Sequence, residues 1–432
     1  MPSQLSPGVS KLTTASPDAE PSPADHATAG LAVPRALILL LAAACGIIVA
    51  NIYYAQPLAG PIGQALGLDV SATGLIVTLT QIGYGLGLLF IVPLGDLVET
   101  RRLVLAAIAL SAVALLLAAT STHPLPFLMA SLLIGIGSTA VQVIVPYAAS
   151  LAPVQIRGSI VGQVMSGLLI GIMLSRPAAS FVDDLWGWQA IFYVGAGLMV
   201  VIGCALAISL PRREPTSQQR YTALLASMVW LYRTTPILRR RALYQALLFG
   251  AFTLFWTTSP LLLAGPVFHL SQSGIALFAL AGVAGALAAP LAGHLADKGH
   301  SRIATGIAMA SVLGGFLLTR IVRHEAGHSS IAALLLLTAG AILLDFGVSS
   351  SLVIGQRAIY TLGAEYRSRL NGLFMATFFA GGAICSAAGA WAYALGGWPL
   401  ASLIGMAPPL AALAYFATER STREHPAHPA AS

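Results

Sequence analysis

The sequence predicts an all-α membrane protein in which twelve transmembrane helices form two pseudo-symmetric halves of six. Hydrophobic residues make up 57% of the chain and charged residues only 9%, whereas a soluble domain is about 45 to 50% apolar and about 25% charged. Apolar runs of about 20 residues, long enough for a helix to cross roughly 30 Å of hydrocarbon, recur along most of the chain. The alternating strands of a membrane barrel do not occur in the sequence. The spans are therefore helical, because only helices and closed barrels satisfy the backbone in lipid.

The apolar segments fall into two groups that are separated by a polar stretch. The first group lies at residues 36–60, 72–95, 103–122, 126–150, 159–181 and 189–210. The second group lies at residues 243–267, 273–296, 303–322, 330–355, 371–395 and 399–417. We therefore divide the chain into an N-terminal tail (1–33), a first half (34–210), a cytoplasmic linker (211–241), a second half (242–417) and a C-terminal tail (418–432). The first tail is rich in Pro, Ser, Ala and Thr and has no basic head followed by an apolar core, so we expect a disordered tail rather than a signal peptide.

An internal repeat relates the two halves. At an offset of 210 residues, seven positions of the first half are identical in the second. They are Arg157, Gly162, Met165, Gly171, Gly187, Trp188 and Gly195, which match Arg367, Gly372, Met375, Gly381, Gly397, Trp398 and Gly405. Parallel six-helix halves are a transporter architecture with its binding site between the halves, near the middle of the membrane.

The arginines predict the orientation, because Lys and Arg in short loops stay on the cytoplasmic side. If both termini are cytoplasmic, nearly all loop arginines face inside, and only Arg320 and Arg323 clearly face outside. This predicts a multi-pass protein of the cell membrane, with the bacterial inner membrane as the expected location. Membrane topology also explains the net charge of +7, because the basic residues lie in the loops. We therefore expect the lipid bilayer and not a nucleic acid as a partner. We further expect the protein to be a monomer.

Two charged loops carry a family resemblance. "GHLADKGHSR" (residues 293–302) resembles a loop motif of the major facilitator superfamily, and "PLGDLVETRR" (93–102) is a variant copy in which Leu97 and Glu99 depart from the motif. "NIYYAQPLAGPI", "TLTQIGYGLGLLFIVPLGD" and "RSRLNGLFMATFFAGG" are similar to the bacterial twelve-helix drug:proton antiporter branch. The resemblance covers about residues 36–417. Ser131 stands where many proton-coupled members have an arginine, and "GLLIGIMLSRP" only partly matches the antiporter motif of the fifth helix.

The charged loops predict a cytoplasmic gate. A carboxylate at a helix end can accept hydrogen bonds from a neighbouring helix N-terminus and pair with arginine, and breaking these contacts frees the halves to rock. The alternative is that the basic residues only fix topology, although the two aspartates add nothing to topology. The predicted gate residues are Asp96, Arg101, Arg102, Arg157, Gly293, Asp297, Lys298, Arg302 and Arg367.

Arg176 and Asp345 are the ionisable residues set most deeply within the predicted spans. Such residues tend to face a cavity or mark an ion path. Arg176 could instead extend toward the outer surface near Asp183 and Asp184, and Asp345 could be a structural carboxylate. We predict that Asp345 carries the coupling proton, because the first span has no carboxylate where related antiporters often keep one.

Polar and aromatic residues complete the predicted site. Gln81, Gln142 and Gln163 are candidate solute contacts, although glutamines within membranes also link helices. Tyr53, Tyr54 and Trp256 lie on the first helix of each half and are candidates to line a pocket, although aromatic residues at this depth are also interface anchors.

The resemblance implies a secondary active transporter of a small organic solute, with proton-coupled efflux by alternating access as the leading mode. A facilitator or a symporter of a small metabolite is the alternative. We expect no cofactor and no enzymatic activity, with the proton gradient as the energy source. "HEAGH" (His324 to His328) satisfies the H-E-x-x-H zinc-protease pattern, but it lies in a short link, contains Gly327 and has no third ligand at a useful spacing. A membrane zinc protease is therefore only a remote alternative, and no metal site is predicted.

Overall fold

The computed structural model describes residues 34–153, 156–211, 220–287, 300–321, 330–363 and 366–419. These residues form helices and connecting turns, and no strand occurs among them. The helices of the first half are α1 (Arg35–Ala50), α2 (Ala59–Leu66), α3 (Gly74–Phe90), α4 (Thr100–Thr120), α5 (Pro124–Ser138), α6 (Ala140–Leu151), α7 (Arg157–Trp186) and α8 (Trp188–Ser209). Below, the end of the bundle at which α1 begins is the inner end, and the opposite end is the outer end.

The second half begins after a helix in the predicted linker. That linker helix is α9 (Tyr221–Thr234), and it is followed by α10 (Pro236–Ala264), α11 (Gln272–Ala279), α12 (Ser301–Ile321), α13 (Ser330–Tyr360) and α14 (Arg367–Ala417). Short 3-10 segments occur at Val70–Ala72, Val92–Asp96 and Leu280–Leu287. The prediction of an all-helical membrane fold is confirmed.

Nine described segments are long and apolar enough to cross a membrane, and α1 and the region Gln272–Val283 are shorter apolar helices. The longest helix, α14, spans 51 residues and contains non-helical backbone at Gly396 and Gly397. That break falls between the last two predicted spans. The seventh predicted span starts earlier than its hydropathy indicates, because α10 begins at Pro236 and carries three arginines in its first turns.

The repeat in the sequence corresponds to a repeated turn in the structure. Gly187 ends α7 with φ of 81°, and Gly397 has φ of 57° at the equivalent point of α14. A side chain is unfavourable at such angles, so glycine is required at both turns. The tryptophans that follow, Trp188 and Trp398, are both buried. The two pseudo-symmetric halves that the sequence predicts are therefore present.

A second repeated pair sets the helix packing within each half. A side chain at Gly171 of α7 would collide with the backbone of Gly46 in α1, and one at Gly381 of α14 would collide with the backbone of Ala246 in α10. In both halves the fifth span therefore packs closely on the first through a glycine, as small residues allow in membranes.

Contacts near the outer end join the two halves. Thr78 of α3 shares a hydrogen bond of 2.7 Å with Ser386 of α14 and donates to the carbonyl of Ala383 at 3.1 Å. Ser273 of α11 donates to the carboxylate of Asp184 on α7. These contacts hold the outer side of the interface together.

The linker helix α9 contacts both halves at the inner end. Tyr221 donates its hydroxyl hydrogen to the carbonyl of Phe90 on α3 at 2.8 Å. Arg369 at the start of α14 donates to Ser227 of α9 at 2.8 Å. Leu224, Met228 and Leu231 form the buried face of this helix. The linker is therefore docked on the bundle through an ordered helix.

Candidate functional site

The first span is interrupted where it reaches the interface between the halves. Residues 51–58 form turns between α1 and α2, and Pro57 supplies no N–H to a helix. Non-helical backbone at membrane depth is tolerated only where it is buried in protein or lines a cavity, and broken helices form the binding sites of many transporters. Tyr53, Tyr54 and Gln56 lie in this interruption and are buried.

Arg176 lies on α7 and is only 4% exposed. Its Nε donates a hydrogen bond of 2.7 Å to Oε1 of Gln56. Its guanidinium carbon lies 5.0 Å from the centre of the Tyr53 ring, 4.9 Å from that of Phe252 and 4.7 Å from that of Trp256. Aromatic faces attract a cation at such distances, and more strongly away from water. The positive charge is therefore held by one amide and three rings, two of which belong to the second half.

Asp345 lies in the middle of α13 and is also 4% exposed. Its Oδ1 accepts a hydrogen bond of 3.2 Å from the indole N–H of Trp256. The same indole therefore contacts both the carboxylate of Asp345 and the guanidinium of Arg176.

The two opposite charges approach one point on the 3-10 segment Leu280–Leu287. A Cβ atom placed on Gly282 would lie 2.9 Å from Oδ2 of Asp345, 3.7 Å from Nη1 of Arg176 and 3.4 Å from the Trp256 ring. Arg176 and Asp345 nevertheless form no ion pair with each other among the described residues. The missing side chain of Gly282 therefore leaves a small space between the two charges.

Three polar atoms of this cluster have no hydrogen-bond partner within the described part of the chain. They are Nη2 of Arg176, Oδ2 of Asp345 and Nε2 of Gln56. Buried polar groups are usually satisfied, since an unsatisfied group loses its interaction with water without compensation. Two donors and one acceptor thus stay unsatisfied within one cluster at the interface between the halves.

The structure brings four of the predicted site residues together: Tyr53, Arg176, Trp256 and Asp345. The other four lie outside this cluster. Gln142 donates to the hydroxyl of Tyr84 at 3.1 Å, and Gln163 is exposed and contacts Ser159. The side-chain oxygen of Gln81 lies against Gly382, and the Tyr54 ring lies against Gly195.

Three residues of the cluster were not predicted from the sequence. Gln56 carries a usable signal, because it is a polar residue beside Pro57 in an apolar segment. Phe252 lies four residues before Trp256, so the two share one face of α10. Gly282 carries no such signal, since many glycines occur in the spans and only the fold shows which one faces the charges.

Aromatic side chains from both halves pack on the inner side of the cluster. Phe249 stacks on Phe252 with ring centres 5.3 Å apart and on Phe378 at 3.8 Å. Tyr84 of the first half lies 4.4 Å from Phe379. This layer separates Arg176 and Asp345 from the inner end of the bundle.

The described gate residues have several different partners. Asp96, at the inner end of the second span, lies within electrostatic range of Arg369 at the start of α14, so opposite charges from the two halves face each other there. Arg101 donates to the carbonyls of Ala207 and Leu210 within its own half, and Arg102 pairs with its neighbour Glu99 at 2.7 Å.

For the remaining predicted gate residues, the described contacts do not connect the two halves. Arg157 is exposed. Arg302 lies over the Phe416 ring at 5.5 Å and Arg367 over the Tyr360 ring at 5.8 Å, both within the second half. Gly293, Asp297 and Lys298 lie outside the described residues, as does the stretch His324 to His328. No group of three metal-binding side chains occurs in the part of the chain that is described.

A separate apolar cavity of about 680 Å³ lies between the inner end of α3, the linker helix α9 and α14. Arg233 is the one charged residue among the described residues that line it. None of the clustered residues around Arg176 lines it. We therefore place the candidate site at the charged cluster, where buried polar groups converge, and not in the apolar cavity.

The chain is similar to known transporters over most of its length. The family model of the Major Facilitator Superfamily matches residues 38–344. The uncharacterised transporter YgaY of Escherichia coli is 39% identical over 370 residues, which are 86% of this chain and 92% of YgaY. The probable transporter SCO4007 of Streptomyces coelicolor is 33% identical over 402 residues, 92% of this chain and 90% of that protein. A solved structure of the nucleoside transporter NupG superposes with a TM-score of 0.67 at 16% sequence identity. The superposition covers 89% of this chain and 100% of the NupG chain, and at this identity it shows a similarity of fold.

Proposed function

This chain belongs to the Major Facilitator Superfamily and is a membrane transporter, and we propose that it moves a small organic solute out of the cell by alternating access, in exchange for protons. The observation that carries this proposal is the pair Arg176 and Asp345. Ionisable side chains within a membrane are costly and tend to mark solute or ion pathways. Here one comes from each half, and both keep an unsatisfied atom at the interface.

Rocking of the halves would expose this pair to one side of the membrane at a time. Arg176 of the first half contacts Phe252 and Trp256 of the second. Rotation of one half against the other would separate these partners and open a path between them, as in other transporters with paired halves. The energy lost from the cation–π contacts would be replaced by contacts with the solute or with water.

Asp345 is the proposed proton carrier. Removal from water favours the neutral form of a carboxyl group, whereas a nearby positive charge favours the charged form. The charged and titratable groups near Asp345 in the described chain are Arg176 on α7 and Tyr53 on the first span. A solute that binds the carboxylate displaces its proton, so the two compete for one site. Exchange of solute for proton follows from that competition.

A facilitator or symporter of a small metabolite is the alternative, and Ser131 favours it. This residue stands where many proton-coupled members have an arginine. Its hydroxyl donates to the carbonyl of Phe127 at 3.0 Å, so it only satisfies its own helix. For either mode we place the protein in the bacterial inner membrane with both termini cytoplasmic, which is supported by the loop arginines and the bacterial relatives.

The test uses purified protein reconstituted in vesicles. A solute library is first screened for thermal stabilisation at acidic and alkaline pH, and a labelled hit is then followed in two assays. The first is accumulation driven by a pH gradient, and the second is exchange of labelled for unlabelled solute at saturating concentration, which moves no net protons. We expect Asp345→Asn to abolish the accumulation, to retain the exchange and to flatten the pH dependence of solute binding.

Asp69→Asn is the matched control. Asp69 is an exposed acid in an outer turn, and its side chain makes no capping bond, so both activities should persist. If Asp345→Asn still accumulates solute against its gradient with the pH dependence intact, Asp345 is not the proton carrier. If the wild-type protein itself shows only equilibration, the protein is a facilitator.

A further inference from the structure

The unsatisfied atoms of the charged cluster indicate what kind of solute it binds, provided that the proposed transport function holds. Nη2 of Arg176 and Nε2 of Gln56 are donors without partners. Gln56 already holds Arg176 through Oε1, so the amide and the guanidinium belong to one unit of the site. Two adjacent donors, one of them charged, match a carboxylate, whose two oxygens accept such bonds.

The remaining unsatisfied atom requires the opposite chemistry. Oδ2 of Asp345 is an acceptor, and the other carboxylate oxygen is already bonded to Trp256. An ammonium group has donors and no acceptor, so it satisfies this oxygen and neutralises the charge. The site therefore has one end for an anionic group and one end for a cationic group.

A solute with a single charge would leave this site unbalanced. Breaking a buried pair so that one charge remains alone is strongly destabilising, because the lone charge is desolvated without compensation. A cationic solute would leave Arg176 in that state, and an anionic solute would leave Asp345 in that state. A neutral solute could satisfy the hydrogen bonds but neither charge.

The distance between the two ends limits the size of the solute's charged core. Oδ2 of Asp345 and Nη1 of Arg176 lie 2.9 Å and 3.7 Å from the same Cβ position on Gly282. The carboxylate and ammonium of the solute must therefore be separated by only a few bonds. We propose that the solute is a zwitterion of the α-amino-acid class, with its carboxylate on Arg176 and Gln56 and its ammonium on Asp345.

This assignment determines the charge that moves in each cycle. The ammonium and the proton compete for Asp345, so one zwitterion leaves as one proton enters. The zwitterion has no net charge, and the proton carries one positive charge. Transport is therefore electrogenic, whereas exchange of one proton for a monovalent cation would move no net charge.

The first experiment measures charge selectivity in the wild-type protein. The twenty standard amino acids are screened for thermal stabilisation. The best ligand with an uncharged side chain is then compared with its N-acetyl derivative, an anion, with its amide, a cation, and with its N-acetyl amide, which is neutral. We expect the zwitterion to bind at least about tenfold more tightly than each of the three, since each leaves at least one charge unpaired. If none of the twenty binds, or if a singly charged or neutral member binds equally well, the proposal is overturned.

Two variants test which charged group of the solute each of the two residues binds. Asp345→Asn should bring the affinity for the anion close to that for the zwitterion, and Arg176→Gln should do the same for the cation. Opposite shifts are not expected from a purely structural role for either residue. Gln64→Ala, at an exposed site on α2, is the control and should leave the order of affinities unchanged. If a variant fails to fold, the proposal is still tested by the relative affinities of the wild-type protein for the zwitterion and its three derivatives.

Electrical recording separates this proposal from the proposed function. Solute gradients across vesicles should produce a current that carries one positive charge opposite to each zwitterion. If zwitterions are carried without any current, the proton coupling is wrong and the solute class stands. If other solutes are exchanged for protons while zwitterions are neither bound nor carried, the solute class is wrong and the transport function stands.

Discussion

Trp256 donates its indole N–H to Oδ1 of Asp345 at 3.2 Å, while its ring centre lies 4.7 Å from the guanidinium carbon of Arg176. One side chain of the second half thus contacts the negative charge through its edge and the positive charge of the first half through its ring. The positions of the two charges are therefore coupled through Trp256.

Replacing Trp256 by phenylalanine removes the donor and keeps an aromatic face. Asp345 would then have neither oxygen hydrogen-bonded to protein, and the loss of such a bond to a buried group costs about 1 to 3 kcal/mol. We expect a lower midpoint of thermal unfolding in detergent. Trp230→Phe on the linker helix is the control, because Trp230 is 56% exposed. Equal midpoints for the two variants would show that the indole bond to Asp345 contributes no stability.

Adding a methyl group at Gly282 should block the site while leaving the fold intact. The new Cβ would lie 2.9 Å from Oδ2 of Asp345, so it would occupy the space between the charges. We expect Gly282→Ala to weaken solute binding by at least about tenfold, which corresponds to 1.4 kcal/mol. Gly314→Ala on α12 is the control, since its Cβ would meet no atom within 4 Å. Wild-type affinity in Gly282→Ala would place the solute elsewhere.

The inner gate should depend on Asp96 and Arg369 together. Their opposite charges attract each other across the interface between the halves, so we expect Asp96→Asn to favour the inward-open state. The measurement is the labelling rate of a cysteine placed at Leu88, a buried position near the inner end of α3 whose backbone lies against Gly372 of α14, in a background without the three native cysteines. Arg369→Gln should have a similar effect.

A double-mutant cycle shows whether the two gate residues act as a pair. If they do, the effect of the double variant should be smaller than the sum of the two single effects. Arg102→Gln is the control, because Arg102 pairs with Glu99, a neighbour in its own half. Strict additivity would mean that Asp96 and Arg369 act independently.

The repeated turns should be equally sensitive to substitution. Gly187 and Gly397 combine positive φ with extended ψ angles, a backbone region that is occupied essentially by glycine alone, and a side chain there costs roughly 1 to 3 kcal/mol. We expect Gly187→Ala and Gly397→Ala each to lower thermal stability by a similar amount. Gly197→Ala on α8, where a Cβ meets nothing within 4 Å, should be neutral or stabilising. A large loss in one turn alone would contradict their equivalence.

The stretch "HEAGH" should have no role in transport. We expect the double variant His324→Ala and His328→Ala to keep transport close to the wild-type level, and chelators to leave it unchanged. Zinc analysis of the purified protein provides the second readout. One tightly held zinc per chain would revive the protease alternative.

The sequence by itself determined the class of fold and its symmetry. Apolar runs must become helices in lipid because the backbone has no other partners there, and this constraint acts locally on each segment. The internal repeat at an offset of 210 residues identified Gly187 and Gly397 as equivalent positions, and both form the same kind of turn in the structure. The sequence also indicated Arg176 and Asp345 as candidate site residues, because an ionisable residue is conspicuous within an apolar span.

Tertiary structure alone decided which residues meet. Gln56, Arg176, Trp256 and Asp345 come from four different spans, and their contacts depend on how each helix is rotated and on the interruption at residues 51–58. Hydropathy is nearly uniform around such spans, so it does not fix their rotation. Packing fixes it instead: close glycine contacts such as Gly171 on Gly46 orient α7 against α1, and this brings Arg176 to Gln56 while Gln163, on the same helix, stays exposed.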